Sequence, residues 1–183
     1  MSILACSACA ADNTFPPFSF YHTQVRPMHS DRTGIDYKLY ISLPREYETG
    51  KVSYPVVLVL DADYFFPFVH LIVWGLVDHA ELQPMILVGI AYPGVAEEKH
   101  GPLFKLNRTR DYTPTFVAKG GYGSEFQKQS GGADRFLDFV DQELFPYLEK
   151  KFRVKHDDRS LVGMSFGGLL ASYALVTRPD LFQ

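Results

Sequence analysis

The sequence has few cysteines and no long hydrophobic run, and both absences narrow the class of protein. Its two cysteines, Cys6 and Cys9, lie near the N-terminus, and no second pair completes a zinc site. The pair also lacks the strand-and-helix context of a redox Cys-x-x-Cys motif. The longest apolar run covers residues 71–77 and contains Gly75, so it is too short to cross a membrane.

Positive charge is not in excess either. The chain has 18 Lys and Arg against 21 Asp and Glu, a net charge of −3. It therefore offers no basic face for a phosphate backbone, and nucleic-acid binding is not expected. With 183 residues, 46% of them hydrophobic, the chain suits one globular domain. No motif calls for a metal or an organic cofactor, and the oligomeric state is left open.

The first residues differ from the rest of the chain. We divide the sequence into a segment at 1–14 and a domain at 15–183. The segment containing Cys6 and Cys9 is either a disordered tail or the remnant of an export signal, although a basic start and a long apolar stretch are missing. A cytoplasmic and a cell-envelope location therefore both remain open.

Strand and helix patterns alternate along the domain. Strands are predicted at 18–26 and 35–43, joined by a turn as an antiparallel hairpin. Buried strands at 55–60 and 85–91 flank a helix at 65–82, which makes a parallel unit. A long loop at 92–132 precedes an amphipathic helix at 136–152, which Pro146 should kink. A third buried strand, 159–163, and a helix at 166–177 complete an α/β fold with a mostly parallel sheet.

The segment Gly163-Met164-Ser165-Phe166-Gly167 follows an apolar strand and opens a small-residue helix. A Gly-x-Ser-x-Gly turn in that context exposes its serine as a nucleophile. The N–H groups at the helix start favour a developing oxyanion, so Phe166 is the natural first donor. We expect the N–H of Asp63, after the strand ending at Leu60, to be the second. The alternative is a turn that only packs or binds phosphate, but the lysine of a phosphate loop is missing.

Four segments carry a family resemblance: residues 54–63, 107–114, 130–137 and 161–168. In this order they resemble the branch of the α/β-hydrolases that includes siderophore esterases, S-formylglutathione hydrolase and the mycolyltransferases, over residues 37–182. The resemblance implies Ser165 as nucleophile and the main-chain N–H groups of Asp63 and Phe166 as the oxyanion hole. Ala62 and Met164 replace a usual glycine and a common histidine of that branch.

The same resemblance implies that residues 107–114 border the active site. Arg108 and Arg110 could hold an anionic group of the substrate through forked hydrogen bonds. Alternatively, Asp111 pairs with one of them and pins the loop. Tyr112 and the other aromatic residues of this region either line a substrate pocket or form a hydrophobic cluster under the loop.

The expected acid and histidine do not follow the serine. In this fold they come after it in chain order, but all six histidines precede Ser165, and the one acid after it is Asp180. The sequence therefore predicts a domain without its C-terminal strands, with an apolar strand edge near Leu161 and Val162. We expect a serine hydrolase of a small or siderophore-type ester that is inactive as these residues alone. The alternative is a non-catalytic, ligand-binding relative.

Overall fold

The fold is a five-stranded sheet with helices on both faces, seen in a computed structural model that describes residues 18–95 and 101–182. The predicted segment 1–14, with both cysteines, lies outside the described residues. The strands are β1 (Thr23–Ser30), β2 (Ile35–Ser42), β3 (Tyr54–Val59), β4 (Ile86–Ala91) and β5 (Val154–Val162). The helices are α1 (Ala62–Asp78), α2 (Pro102–Tyr112), α3 (Ser124–Gln127), α4 (Ala133–Phe139), α5 (Phe145–Lys151) and α6 (Phe166–Thr177).

The sheet order is β1-β2-β4-β3-β5. Strands β4, β3 and β5 are parallel, whereas β1 and β2 form the predicted antiparallel hairpin at one side. The hairpin turn is tighter than expected: β1 runs to Ser30, and Gly34, at φ 69°, closes the reversal. A positive φ is easy for glycine, so this residue permits the short turn.

Two hydrophobic layers cover the two faces of the sheet. The larger one joins the inner sides of the strands to α4, α5 and α6 through residues such as Leu58, Ile90 and Phe136. The smaller one lies under α1, where Phe66 packs with Val59 and Leu87. The helix predicted at 136–152 is a continuous run of α4, a π-helical segment at Val140–Leu144, and α5, whose second residue is Pro146.

Two predictions were wrong in detail. The segment predicted as a long loop contains α2, whose buried residues include Asn107, Arg108 and Asp111. A helix that buries polar, mutually paired side chains has no apolar period to detect. Strand β5 begins at Val154 rather than at 159, and none of its residues is fully buried, so the prediction of a buried strand there was wrong. It lies at the end of the sheet order, where an exposed face tolerates polar residues such as His156.

Apolar side chains stay exposed on the described surface. They include Phe68, Leu71 and Ile72 of α1, Leu175 and Val176 of α6, and Val162 of β5, which is 42% exposed. The expected apolar strand edge near Val162 is therefore present in the described part of the chain. No described helix is both long enough and apolar enough to span a membrane.

Candidate active site

The serine turn, residues 163–167, connects β5 to α6. Ser165 is exposed and has a φ of 58° and a ψ of −117°, a conformation that costs a non-glycine residue energy. The Gly167 N–H closes the turn by donating to the Met164 carbonyl at 2.9 Å. A Cβ on Gly163 would lie 2.5 Å from the Gly167 carbonyl carbon and oxygen, so this position requires glycine. The sharp, strained bend predicted around Ser165 is thus observed.

A second turn, residues 60–63, lies beside the serine turn. Val59 pairs with Val162 in the parallel register of β3 and β5, and the Leu60 N–H extends the pairing by donating to the Val162 carbonyl at 2.9 Å. Since parallel strands end at the same edge of a sheet, α1 and α6 begin side by side. Asp61, at φ 51°, turns the chain into α1.

The two predicted oxyanion donors occupy the first turns of these helices. Phe166 is the first residue of α6 and Asp63 the second of α1, so helix geometry supplies no acceptor for either N–H. The Asp63 side chain is only 2% exposed while the residue as a whole is half-buried, so its accessible surface belongs to the main chain. Both positions suit donation to an oxyanion, and this role remains a prediction.

The Asp63 carboxylate anchors the start of α1. It accepts hydrogen bonds from the Tyr40 hydroxyl at 3.0 Å and the Tyr92 N–H at 2.9 Å, and Lys38 Nζ lies 3.4 Å away. Burial alone would lower the pKa of Lys38, but its hydrogen bond with Tyr40 and the charge of Asp63 raise it overall. The side chain therefore fixes the main chain whose N–H we predict as a donor.

Arg108 connects the two turns from α2. Its Nε lies 2.8 Å from Asp61 Oδ1, its Nη2 donates to the Met164 carbonyl at 3.0 Å, and its Nη1 donates to the Tyr122 hydroxyl. The residue is 4% exposed. The guanidinium is thus buried in one ion pair and two hydrogen bonds within the protein, and the predicted contact of Arg108 with substrate does not fit this geometry.

Arg110 and Asp111 form a separate paired group. Arg110 donates from Nε and Nη2 to the two Asp111 oxygens at 2.7 and 2.8 Å, and Asp111 also accepts the hydroxyls of Tyr92 at 2.8 Å and Tyr37 at 3.2 Å. Burial raises the pKa of both tyrosines, so the hydroxyls stay protonated donors. This is the alternative in which Asp111 pins the segment. The Arg110 side chain keeps 15% exposure, and a substrate contact by it remains a prediction.

Tyr112 is fully buried, and its hydroxyl accepts the Asp61 N–H at 3.3 Å. Its ring packs edge-on against Phe136. The residue therefore belongs to the hydrophobic cluster under the site, and the predicted contact of Tyr112 with substrate is wrong on this geometry. Asp61 was not predicted as a site residue, although a carboxylate directly after a buried strand is a visible signal for a buried ion pair.

The described residues contain no base at the serine. Within 18–95 and 101–182, no side chain hydrogen-bonds to Ser165 Oγ. His29 contacts Asp36, His70 contacts Ser42 and His156 contacts Glu149. Of the other described histidines, His22 lies against Trp74 and His79 lies at the exposed end of α1. His100 falls outside the described residues. Asp180 shares a small cavity with His156, near the start of β5 and away from the serine turn.

Two cavities border α1. The smaller, of about 300 Å³, lies along its first turns, with Asp63, Tyr40 and Phe66 in its wall. The larger, of about 650 Å³, lies at the other end of the helix beside Trp74 and Asp78 and borders no residue of the two turns. No described group of three or more His, Cys, Asp or Glu side chains is arranged to hold a metal ion.

Comparison with known proteins agrees with this geometry. A family model described as "Putative esterase" matches residues 30–183. The chain belongs to this esterase family. It is 31% identical over 180 residues to the ferri-bacillibactin esterase BesA of Bacillus subtilis, a match covering 91% of this chain and 57% of BesA.

Two further relatives give the same family. The siderophore triacetylfusarinine C esterase of Aspergillus fumigatus is 33% identical over 163 residues, covering 85% of this chain and 51% of that protein. The crystal structure of an IroE-like serine hydrolase from Shewanella oneidensis superimposes with a TM-score of 0.74 at 34% identity, covering 87% of this chain and 48% of that one. The α/β-hydrolase fold is therefore shown, and the chain spans about half the length of these relatives.

Proposed function

We propose that this protein is a serine carboxylic-ester hydrolase that acts through an acyl-enzyme. The observation that carries the proposal is the exposed Ser165 at φ 58°, between a strand end and a helix start, with a second helix start beside it. A serine in such a turn is displayed to a substrate, and two helix N-termini provide N–H donors where negative charge would develop.

The proposed chemistry has two steps. Ser165 Oγ attacks the ester carbonyl, the N–H groups of Phe166 and Asp63 hold the oxyanion, and the alcohol leaves with a proton. Water then attacks the acyl-serine, and the acid leaves as Ser165 regains its proton. Both steps need a base that accepts and returns a proton at Ser165 Oγ.

We place that base outside the described residues, because none of them hydrogen-bonds to Ser165 Oγ. In this fold the acid and the histidine follow the serine in chain order, and the matched relatives are longer than the stretch they share with this chain. Residues 1–183 by themselves should then hydrolyse esters poorly, since loss of the histidine from such a triad lowers turnover on the order of 10⁶-fold.

The substrate class rests on the relatives. Two of them are named as esterases of siderophores, ferri-bacillibactin and triacetylfusarinine C. We propose a small or siderophore-type ester for this chain.

The test compares two proteins, residues 1–183 and the product of the whole gene, on a nitrophenyl ester and on a catecholate trilactone. We expect hydrolysis by the gene product, its loss in Ser165→Ala, and little turnover by residues 1–183. Full turnover after Ser165→Ala would contradict the proposal. A gene product that binds the trilactone tightly without hydrolysing it would instead support the non-catalytic relative.

A further inference from the structure

One buried side chain touches both turns that carry the proposed oxyanion donors. Arg108 Nε lies 2.8 Å from Asp61 Oδ1, two residues before Asp63. Its Nη2 donates at 3.0 Å to the carbonyl of Met164, directly before Ser165. Its guanidinium carbon also lies 5.4 Å from the centre of the Phe166 ring. A single planar group thus spans the β3–α1 and β5–α6 connections.

We propose that Arg108 is a positioning residue that sets the separation of the Asp63 and Phe166 N–H groups, so that both reach one oxyanion. The inference rests on the proposed function, because it assigns to Arg108 the geometry of that oxyanion hole. It replaces the substrate contact that the sequence suggested for this residue.

The chemistry of the contacts calls for arginine. A guanidinium holds its donors in a fixed plane, so Nε, Nη1 and Nη2 can serve a carboxylate, a carbonyl and a hydroxyl in different directions. Here the Met164 carbonyl and the Tyr122 hydroxyl accept hydrogen bonds, and the Asp61 carboxylate is the ion-pair partner. A lysine would carry its donors on one atom and could not hold the same three groups at these positions. The Asp61 side chain is 1% exposed, and a carboxylate so buried needs a cation beside it.

Both turns contain a non-glycine residue at positive φ, Asp61 at 51° and Ser165 at 58°. Such conformations persist only when their surroundings hold them. Arg108 contacts one directly and the other through the preceding carbonyl, so the same side chain restrains both. Without Arg108 the two turns can relax independently, and the N–H groups of Asp63 and Phe166 no longer point at one oxyanion position.

The first test uses the catalytically competent gene product and compares Arg108→Lys with a matched control, Arg178→Lys. Arg178 also pairs with a carboxylate, Asp138 at 2.7 Å, but at the far end of α6. Because loss of one oxyanion donor costs about 10²–10³-fold in kcat, we expect Arg108→Lys to lower kcat per titrated active site about 10²-fold with KM within a few-fold. Affinity for a boronic-acid analogue of the tetrahedral intermediate should fall in parallel. Arg178→Lys should keep all three values.

A purely structural role would reduce the fraction of titrated sites and leave kcat per site unchanged, which would overturn the inference. The second test needs no turnover: in residues 1–183, amide resonances of both Phe166 and Asp63 should shift in Arg108→Lys and stay in place in Arg178→Lys. A shift at only one turn, or at neither, would also overturn it. If the wild-type gene product is inactive, or Ser165→Ala leaves its turnover intact, the proposed function fails instead, and the amide shifts still report on Arg108.

Discussion

Replacing Gly163 by alanine is the sharpest perturbation of the serine turn. The new Cβ would lie 2.5 Å from the carbonyl carbon and oxygen of Gly167, about 1 Å inside ordinary van der Waals contact. Both neighbours are backbone atoms, so no side chain can swing away. The start of α6, with the Phe166 N–H, must therefore move by a similar distance.

The expected cost follows from that displacement. Overpacking of this kind destabilises a protein by about 1–3 kcal/mol, and a 1 Å error in a catalytic group can cost about 10²-fold in rate. Gly168→Ala is the matched control, because its Cβ would meet only the Gly163 carbonyl oxygen, at an ordinary 3.5 Å. Inside a helix that change should instead stabilise the protein by about 0.5–1 kcal/mol.

Urea unfolding of both variants measures the stability, and the rate of phosphonate labelling at Ser165 in the gene product measures the geometry. We expect Gly163→Ala to be less stable than the wild type and to be labelled at least tenfold more slowly. Gly168→Ala should show neither effect. Equal stability and equal labelling for Gly163→Ala would refute the argument that a close backbone contact sets the bend.

Three further predictions concern other parts of the fold. Burial lowers the pKa of His70 from its ordinary 6.5, so the unfolded chain binds more protons than the folded chain as the pH falls, and the free energy of unfolding decreases. Urea titrations at pH 7 and pH 5 should show a smaller decrease in this free energy for His70→Gln than for the wild type. An equal decrease in both would contradict the prediction. Asp111→Asn removes the negative charge that binds the Arg110 guanidinium and two tyrosine hydroxyls, and should lower the free energy of unfolding in urea by about 3–5 kcal/mol. A decrease below about 1 kcal/mol would show that these four side chains do not stabilise the fold together. Ile72 is 62% exposed on α1, so residues 1–183 should bind an apolar dye, and Ile72→Lys should reduce that binding with no loss of stability.

The sequence was a good guide where its pattern reports burial. The apolar runs at β3 and β4 and the small-residue start of α6 predicted a parallel unit and a strained serine, and the structure has both. Where buried residues are polar, the pattern failed. Helix α2 buries Asn107, Arg108 and Asp111, which are held by hydrogen bonds and ion pairs within the helix and to distant residues such as Asp61, and no apolar period reveals such contacts.

The same limit explains the errors at the site. A forked arginine suits a substrate carboxylate as well as Asp61, and the sequence does not say which acceptor is near. Only the fold brings Arg108 from α2 to the ends of β3 and β5. The positions of Asp63 and Phe166 in the first turns of α1 and α6 followed from the sequence, because they depend on where a strand ends and a helix begins; their role as oxyanion donors stays a prediction.

Trapping the acyl-enzyme tests the central claim most directly. The gene product would be mixed with a nitrophenyl ester, quenched in acid within its first turnovers, digested and analysed by mass spectrometry. We expect one acyl group, on the peptide containing Ser165, and none in Ser165→Ala. Continued turnover by Ser165→Ala, or an acyl group on a different residue, would contradict the account.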